Sequence, residues 1–286
     1  MKQLHVIMAC HNRRDLTVGS IRSAIAAAET AHVNVDFTVY DDGSTDGSSA
    51  ALSEMGADIT VLSGDGSAYW ARSMARAELD VWSRPVSQQS SESWIVWLND
   101  DVILDTTAFH DLDAMAVNTV YIGAMRDGDT GDITYGGLKK TGWHPLGFST
   151  VAPGPLLIPL DSFNGNLVFV SMPTAIQLGG IDGEYSHSLA DIDYGLRCGR
   201  LNIPALLLPV SRGVCARNSP EPRDGVRRQW RRFVGLKGGG HYASLTRIIK
   251  KGAQRKWPLY VYATYILWWA RHLISSVKAR YQNGES

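Results

Sequence analysis

Residues 4–47, LHVIMACHNRRDLTVGSIRSAIAAAETAHVNVDFTVYDDGSTDG, decide the fold. Leu4 to Met8 and Val35 to Tyr40 are short apolar or β-branched runs, and the Ala-rich segment Leu16 to Ala31 between them has helical composition. Strand, helix and strand in this order form a βαβ unit, whose crossover lays the strands parallel. The pattern continues with a strand at Ile59 to Leu62, a helix at Ser67 to Trp82, and a strand at Trp94 to Leu98 that stops at Asn99-Asp100-Asp101. A mostly parallel sheet flanked by helices is therefore expected. Tyr121 to Leu160, rich in Gly, Thr and Pro, reads as irregular structure with a few short strands, suited to a loop-built acceptor site. A strand at Asn166 to Ser171, helices at Pro173 to Leu178 and Leu189 to Arg200, and a closing strand at Ala205 to Pro209 follow.

The 286 residues leave ample length for a core, and 44% hydrophobic with 20% charged residues excludes a disordered chain. Three cysteines, Cys10, Cys198 and Cys215, form no CxxC pair, so neither a disulfide framework nor a zinc site is indicated. The first residues run straight into a strand without the long apolar stretch of a signal peptide, and a reducing cytoplasm is the expected location. Acidic and basic residues balance at 28 each, but fifteen Lys/Arg against two acids fall between Arg217 and Arg280. The chain divides on this basis into residues 1–216, an α/β unit, and 217–286, a basic, aromatic-rich helical extension.

In parallel α/β sheets ligands bind beyond the carboxyl ends of the strands. Three acidic clusters follow strands here. Asp41 and Asp42, with the Gly-rich turn after them, can accept hydrogen bonds from a base or ribose, or cap the next helix. Asp100 and Asp101 end an apolar strand. Their desolvation is most easily offset by a divalent cation, with hard oxygen ligands favouring Mg²⁺ or Mn²⁺, although N-capping, with Asp105 ahead of a following helix, is the structural alternative. Asp191 and Asp193 open a helix whose dipole alone would favour them. At i and i+2 they point apart, so one can face a cleft while the other pairs locally with Arg197. His187 is either a ligand contact or a packed surface histidine. No P-loop, HExxH, GxGxxG or GxSxG motif occurs, which ranks the NTPase, protease, dehydrogenase and esterase readings low.

The series ACHNR, VYDDGSTDG, GDGSAYW, WLNDD and GGIDGEYSHSLADIDYGLRCGRLNIP resembles the family-two inverting glycosyltransferases of the GT-A fold, over residues 4 to 217. It looks closest to bacterial rhamnosyl- and galactofuranosyl-type transferases of cell-surface polysaccharide assembly, whose RW…KG tail is matched by Trp230-Arg231 and Lys237-Gly238. The resemblance implies that Asp41 and Asp42 contact the nucleotide, flanked by Ala9, Asn12 and Arg13. It implies that Asn99-Asp100-Asp101 stands for the DxD element, with Asp101 as metal ligand through the donor diphosphate and Asp100 nearer the ribose. The family's Glu-Asp pair becomes Ala190-Asp191, so the general base carries over to Asp191 without its acidic neighbour.

The expected chemistry is displacement of a nucleoside diphosphate by an acceptor hydroxyl. Asp191 takes the proton on the face opposite the leaving group, which inverts the anomeric carbon. Gly66, Tyr69 and Trp70 are placed to line the donor sugar, the two aromatic rings either stacking on it or packing as core residues at the start of a helix. A nucleotidyltransferase and a catalytically inactive membrane-associated scaffold are the competing readings. In the tail, Arg227, Arg228, Arg231 and Arg232 alternate with Val226, Trp230, Phe233 and Val234 in an amphipathic helical pattern. The fourteen uncharged residues Trp257 to Ala270 are too few to span a bilayer, but their aromatic content suits its interface, where a polyprenol-linked or glycan acceptor would be met. A helix pair packed on the α/β unit is the structural alternative. Nucleic acid is not an expected partner. The expectation is a peripheral protein at the inner face of the cell membrane, binding a UDP- or dTDP-sugar.

Overall fold

The chain was analysed as a computed structural model, which describes residues 2–56, 58–84, 93–217 and 224–282. Glu221, counted in the basic tail, lies outside the described residues. The first βαβ unit forms as expected, with β1 at Gln3–Cys10, α1 at Arg14–Ala31 and β2 at Asn34–Asp41. Next come α2 (Ser48–Ser53), β3 (Ile59–Ser63), α3 (Tyr69–Ser83), β4 (Ser93–Leu98) and β5 (Ile103–Leu104). The middle of the chain supplies β6 (Val120–Arg126), β7 (Ile133–Tyr135), β8 (Gly137–Lys140), β9 (Phe148–Val151), β10 (Ile158–Pro159), β11 (Ser162–Phe163) and β12 (Leu167–Ser171). After α4 (Met172–Leu178), α5 (Ala190–Arg200) and β13 (Ala205–Val214) come α6 (Val226–Val234), α7 (Tyr242–Ala253) and α8 (Trp257–Gln282).

The main sheet runs β10-β13-β6-β12-β4-β1-β2-β3. The pairs β1–β2, β1–β4, β2–β3 and β6–β13 are parallel, and β12 is antiparallel to both β4 and β6. This is the mostly parallel, helix-flanked GT-A-type sheet with a C-terminal helical extension that the sequence indicates. Alternation along the strands explains its two apolar layers. Ile7, Ile95 and Trp97 face α3, α4 and α5, while Val6, Met8, Trp94, Val96 and Leu98 face α1.

Two sequence expectations give way. The stretch from Tyr121 is not irregular at its start, because Val120–Arg126 is a central strand buried at six of its seven positions. Gly123 belongs to this strand for a packing reason, since a Cβ there would lie 2.5 Å from Leu167 Cδ2. No α-helix follows Asp105 before β6 among the described residues, so Asp105 caps none. Its carboxylate instead takes both terminal nitrogens of Arg126, at 2.6 and 2.8 Å.

The C-terminal helices are joined to the sheet unit. Leu245, Ile248 and Ile249 of α7 and Val261 of α8 are buried in the same layer as α3 and α5. Arg247 and Lys251 hold Asp182, and Lys251 also reaches the fully buried Asp193 at 2.8 Å. No described helix is long and apolar enough to cross a membrane.

Candidate functional site

Polar residues gather beyond the carboxyl ends of β1, β2 and β4. Asn12, in a left-handed conformation (φ 51°), accepts the Thr45 N–H with Oδ1 at 2.8 Å, and its own N–H reaches Ser44 Oγ at 2.9 Å. Asp41 accepts the Ser44 N–H at 2.9 Å, and Asp46 accepts the Arg14 N–H at the start of α1. The loop after β2 is thereby clamped to the loop after β1. Gly43 is required in it: φ is +72° and a Cβ would lie 2.8 Å from Gly66 N.

Asp42, expected at the nucleotide, is also bound within the fold. Its carboxylate accepts the N–H groups of Gly66 (3.0 Å), Ala68 (3.2 Å) and Tyr69 (2.9 Å), and so caps α3 through space. This is the helix-capping alternative, applied to a helix 27 residues on. The side chain is buried and holds the Gly64–Tyr69 turn against the loop after β2.

Arg13 bridges the acids that follow β4, donating from one nitrogen to Asp100 Oδ1 (2.8 Å) and Asp101 Oδ2 (3.0 Å). Burial pushes the Asp100 carboxyl up to about 6, against the pull of Arg13 and with the help of the Asp101 charge. Asp101 is the more exposed of the two and has the Cys215 thiol 3.6 Å away. Two carboxylates with one shared guanidinium are an oxygen-rich, incompletely neutralised set. That suits Mg²⁺ or Mn²⁺, which commonly takes one or two protein carboxylates and completes its shell with water and phosphate. No cluster of three or more His, Cys, Asp or Glu side chains of metal-binding geometry exists among the described residues, so phosphate or water would have to complete the shell.

Trp70 links this edge to α5. Its indole N–H donates to Asn99 Oδ1 at 2.8 Å, and its ring stands edge-on to Trp97 at 6.2 Å. At the far end of the indole lies Gly165, where a Cβ would sit 2.9 Å from Trp70 Cη2 and 3.4 Å from Asp191 Cβ. Asp191 and Trp70 thus meet over the same bare glycine. Its Oδ2 accepts the Gly165 N–H (3.1 Å) and its Oδ1 the Ile192 N–H (2.8 Å), and burial raises its pKa. Asp193 points the other way, to Arg197 (3.0 Å) and Lys251, as the i, i+2 spacing requires.

The structure therefore brings Arg13, Asn99, Asp100, Asp101, Trp70 and Asp191 to one edge. Ala9 is half-buried on β1 opposite Tyr40, and Asn12, Asp41 and Asp42 build the adjoining loops. Gly66 (φ +86°) and Tyr69 form the turn into α3. Sequence reasoning passed over Gly165, which carries no motif, and Lys237, which was matched without a role. Lys237 Nζ sits 5.9 Å from the Tyr69 ring centroid, and the His187 ring lies 6.4 Å from the same tyrosine.

No family model and no curated protein matches the chain. Among solved structures it is similar to the mannosyltransferase PcManGT from Pyrobaculum calidifontis in complex with GDP-Man and Mn²⁺, with TM-score 0.54 and 14% identity over 88% of this chain and 64% of that one. It is also similar to S. aureus TarS 1–349, with TM-score 0.51 and 14% identity over 76% and 60% of the two chains. The complex of TarS 1–349 with UDP-GlcNAc gives TM-score 0.52 and 13% identity over 77% and 60%. The likeness is one of fold. The chain spans 60–64% of the length of these structures.

Proposed function

We propose that the protein is an inverting glycosyltransferase, moving a sugar from a nucleoside diphosphate donor to a hydroxyl of a glycan or lipid-linked acceptor. The observation that carries this reading is the pairing of a cation-ready acidic edge, Arg13-Asp100-Asp101, with a single carboxylate, Asp191, across the Trp70 indole. GDP-Man and UDP-GlcNAc, found in the neighbouring structures, are both nucleoside diphosphate sugars and suit such an edge.

In this reading Asp101 would hold Mg²⁺ or Mn²⁺, with Asp100 nearer the ribose, and the ion when bound would supply positive charge to the departing diphosphate. Arg13 is the chain's own cation at that position, and Asp41 with Asn12 shapes the floor for the nucleoside. Asp42 sets the turn through Gly66 that presents Tyr69 and Trp70 to the donor sugar. Asp191 accepts the proton of the attacking hydroxyl as the bond to C1 forms. Backbone N–H groups fix both of its oxygens, and each keeps a lone pair for that proton. Burial makes it a stronger base than an exposed carboxylate. One base opposite the leaving group gives a single displacement and inversion.

The finer assignment, a UDP- or dTDP-sugar of rhamnosyl or galactofuranosyl type used in surface polysaccharide synthesis at the cytoplasmic membrane face, rests on the resemblance quoted above. Residues 1–216 would be the transferase unit and 217–286 its membrane-facing extension. Leu259, Tyr262, Ile266 and Trp269 of α8 are exposed at i, i+3, i+7 and i+10, a stripe flanked by Lys250, Arg255 and Lys256 and suited to an anionic bilayer surface. Co-sedimentation with anionic vesicles that survives Tyr262→Ser/Ile266→Ser would overturn that part.

The decisive experiment screens donor hydrolysis and binding for UDP-, dTDP- and GDP-sugars with and without Mn²⁺, on wild type, Asp101→Ala and Asp191→Asn. Metal-dependent binding lost with Asp101, and turnover lost by about 10²–10⁴-fold with Asp191→Asn while binding persists, is the expected result. Absence of any nucleotide-sugar binding would instead favour the inactive membrane-associated scaffold.

A further inference from the structure

The turn between α6 and α7 is anchored on the segment that precedes α5. Ser186 Oγ donates to the Leu236 carbonyl at 2.7 Å and Ser188 Oγ to the Lys237 carbonyl at 3.0 Å. His241 and Ser244 join Ser186 at 3.2 and 3.1 Å. The turn is also packed too tightly for side chains on its inner positions, since a Cβ on Gly240 would lie 2.4 Å from the Phe233 ring. Lys237 is therefore held at a fixed place in the main chain, and its exposed side chain reaches back over Tyr69 at the start of α3.

Beside the Tyr69 ring two basic groups lack an acidic partner of their own. Lys237 has no carboxylate within ion-pair distance among the described residues, and the Nδ1 atom of His187 is buried without a hydrogen-bond partner. Burial, and then the Lys237 and Arg13 charges, disfavour the protonated form of His187, so all three basic groups share one electrostatic neighbourhood. Of these, only Arg13 is paired, on Asp100 and Asp101. An ammonium and an imidazole with an unpartnered buried nitrogen, both beside Tyr69 and near the Arg13 that pairs with Asp100 and Asp101, lack an anion of their own.

We infer that Lys237 and His187 bind the diphosphate of the donor, so that the C-terminal turn completes the nucleotide site. This rests on the transferase reading above and adds to it the residues that hold the leaving group. Lys237 supplies a point charge to the phosphate oxygens, and neutral His187 donates a ring N–H to them. Because the lysine comes from the turn that joins α6 to α7, the donor site would be complete only when that turn is docked on Ser186 and Ser188.

The test is calorimetric titration of the full-length chain, in Mg²⁺, with UDP, GDP, their nucleosides, and geranyl diphosphate as a lipid-diphosphate probe. Lys237→Ala is expected to weaken the bound nucleoside diphosphate by about tenfold or more while leaving the nucleoside within about twofold, and Lys237→Arg to recover most of the loss. His187→Ala is expected to give a smaller loss of the same selectivity. Three results overturn the inference: an unchanged nucleoside diphosphate affinity, an equal loss for nucleoside and nucleotide, or a loss confined to geranyl diphosphate. A wild-type protein that binds no nucleotide overturns the transferase reading itself, whereas wild-type binding that Lys237→Ala leaves intact overturns only this assignment.

Discussion

Asp191 and Asp100 lie in differently built surroundings, and the pH response should show it. A base must be ionised to accept a proton, and burial raises the Asp191 pKa, so turnover should fall as pH drops through that raised value. Protonation of Asp100 near about 6 removes charge from the metal edge in the same direction. The acid side of the pH–rate profile should carry both groups, and the residual rate of Asp191→Asn should keep only the Asp100 contribution near about 6. Glu78 titrates for a different reason. It is buried against Gly180 and accepts the Ile181 N–H, while its other oxygen has no partner, and burial pushes its pKa up to about 7. Its folded-state pKa exceeds the unfolded value, so the associated stability is present below about 4.5 and is lost as pH rises through about 7. Glu78→Gln should therefore raise stability at pH 8, by up to about 3 kcal/mol, and change it little at pH 4.5, as thermal melts at the two pH values would show.

At the scale of elements, the start of α3 is held by a residue that is not its neighbour. Asp42 serves the N–H groups of Gly66, Ala68 and Tyr69 from the end of β2, so one carboxylate joins two strand–helix units. Asp42→Ala is expected to cost about 1–2 kcal/mol in denaturant unfolding, the range of a lost N-cap, besides any effect on ligand binding. Asp42→Asn should recover part of it. The element boundaries that the sequence suggested hold closely at α1 and β4, whereas the closing strand expected to stop at Pro209 runs on to Val214, because its later residues pair with β6 and β5. The sequence reading missed β6 because a buried central strand has no alternation, and the Gly- and Thr-rich stretch after it dilutes its apolar run. Capping by Asp105 stood as the structural alternative because local rules offer capping as the default use of a post-strand aspartate. The partner it found, Arg126, is 21 residues away.

For the whole molecule, the basic tail is continuous with the core. α7 buries Leu245, Ile248 and Ile249 in the layer that also holds Trp97 and Tyr194. Ile249→Ala should destabilise the entire chain by about 2–5 kcal/mol and lower its single melting transition, rather than loosen the tail alone. A second, independent transition for the last helices would contradict this. The charge imbalance that marks the tail in the sequence is partly spent inward, since Arg247 and Lys251 neutralise Asp182 and Asp193. The α6 arginines, Lys237 and the α8 stripe remain at the surface.

Residues 4–47 and the post-strand acids were enough to set the parallel βαβ start and the strand-end edge at which a ligand would lie, because strand and helix periods and strand-end polarity are local properties of the chain, while the choice of Asp101 and Asp191 among those acids came from the family resemblance. Tertiary structure alone decided what each acid does. Asp42 is committed to a helix 27 residues on, Arg13 neutralises acids 87 and 88 residues away, and Gly165 lets Trp70 and Asp191 approach. Lys237 arrives at Tyr69 from the far end of the chain. A carboxylate takes whichever donors or cations the fold brings within about 3 Å of it, and in a parallel sheet those partners come from separate crossovers, so sequence spacing carries no record of them.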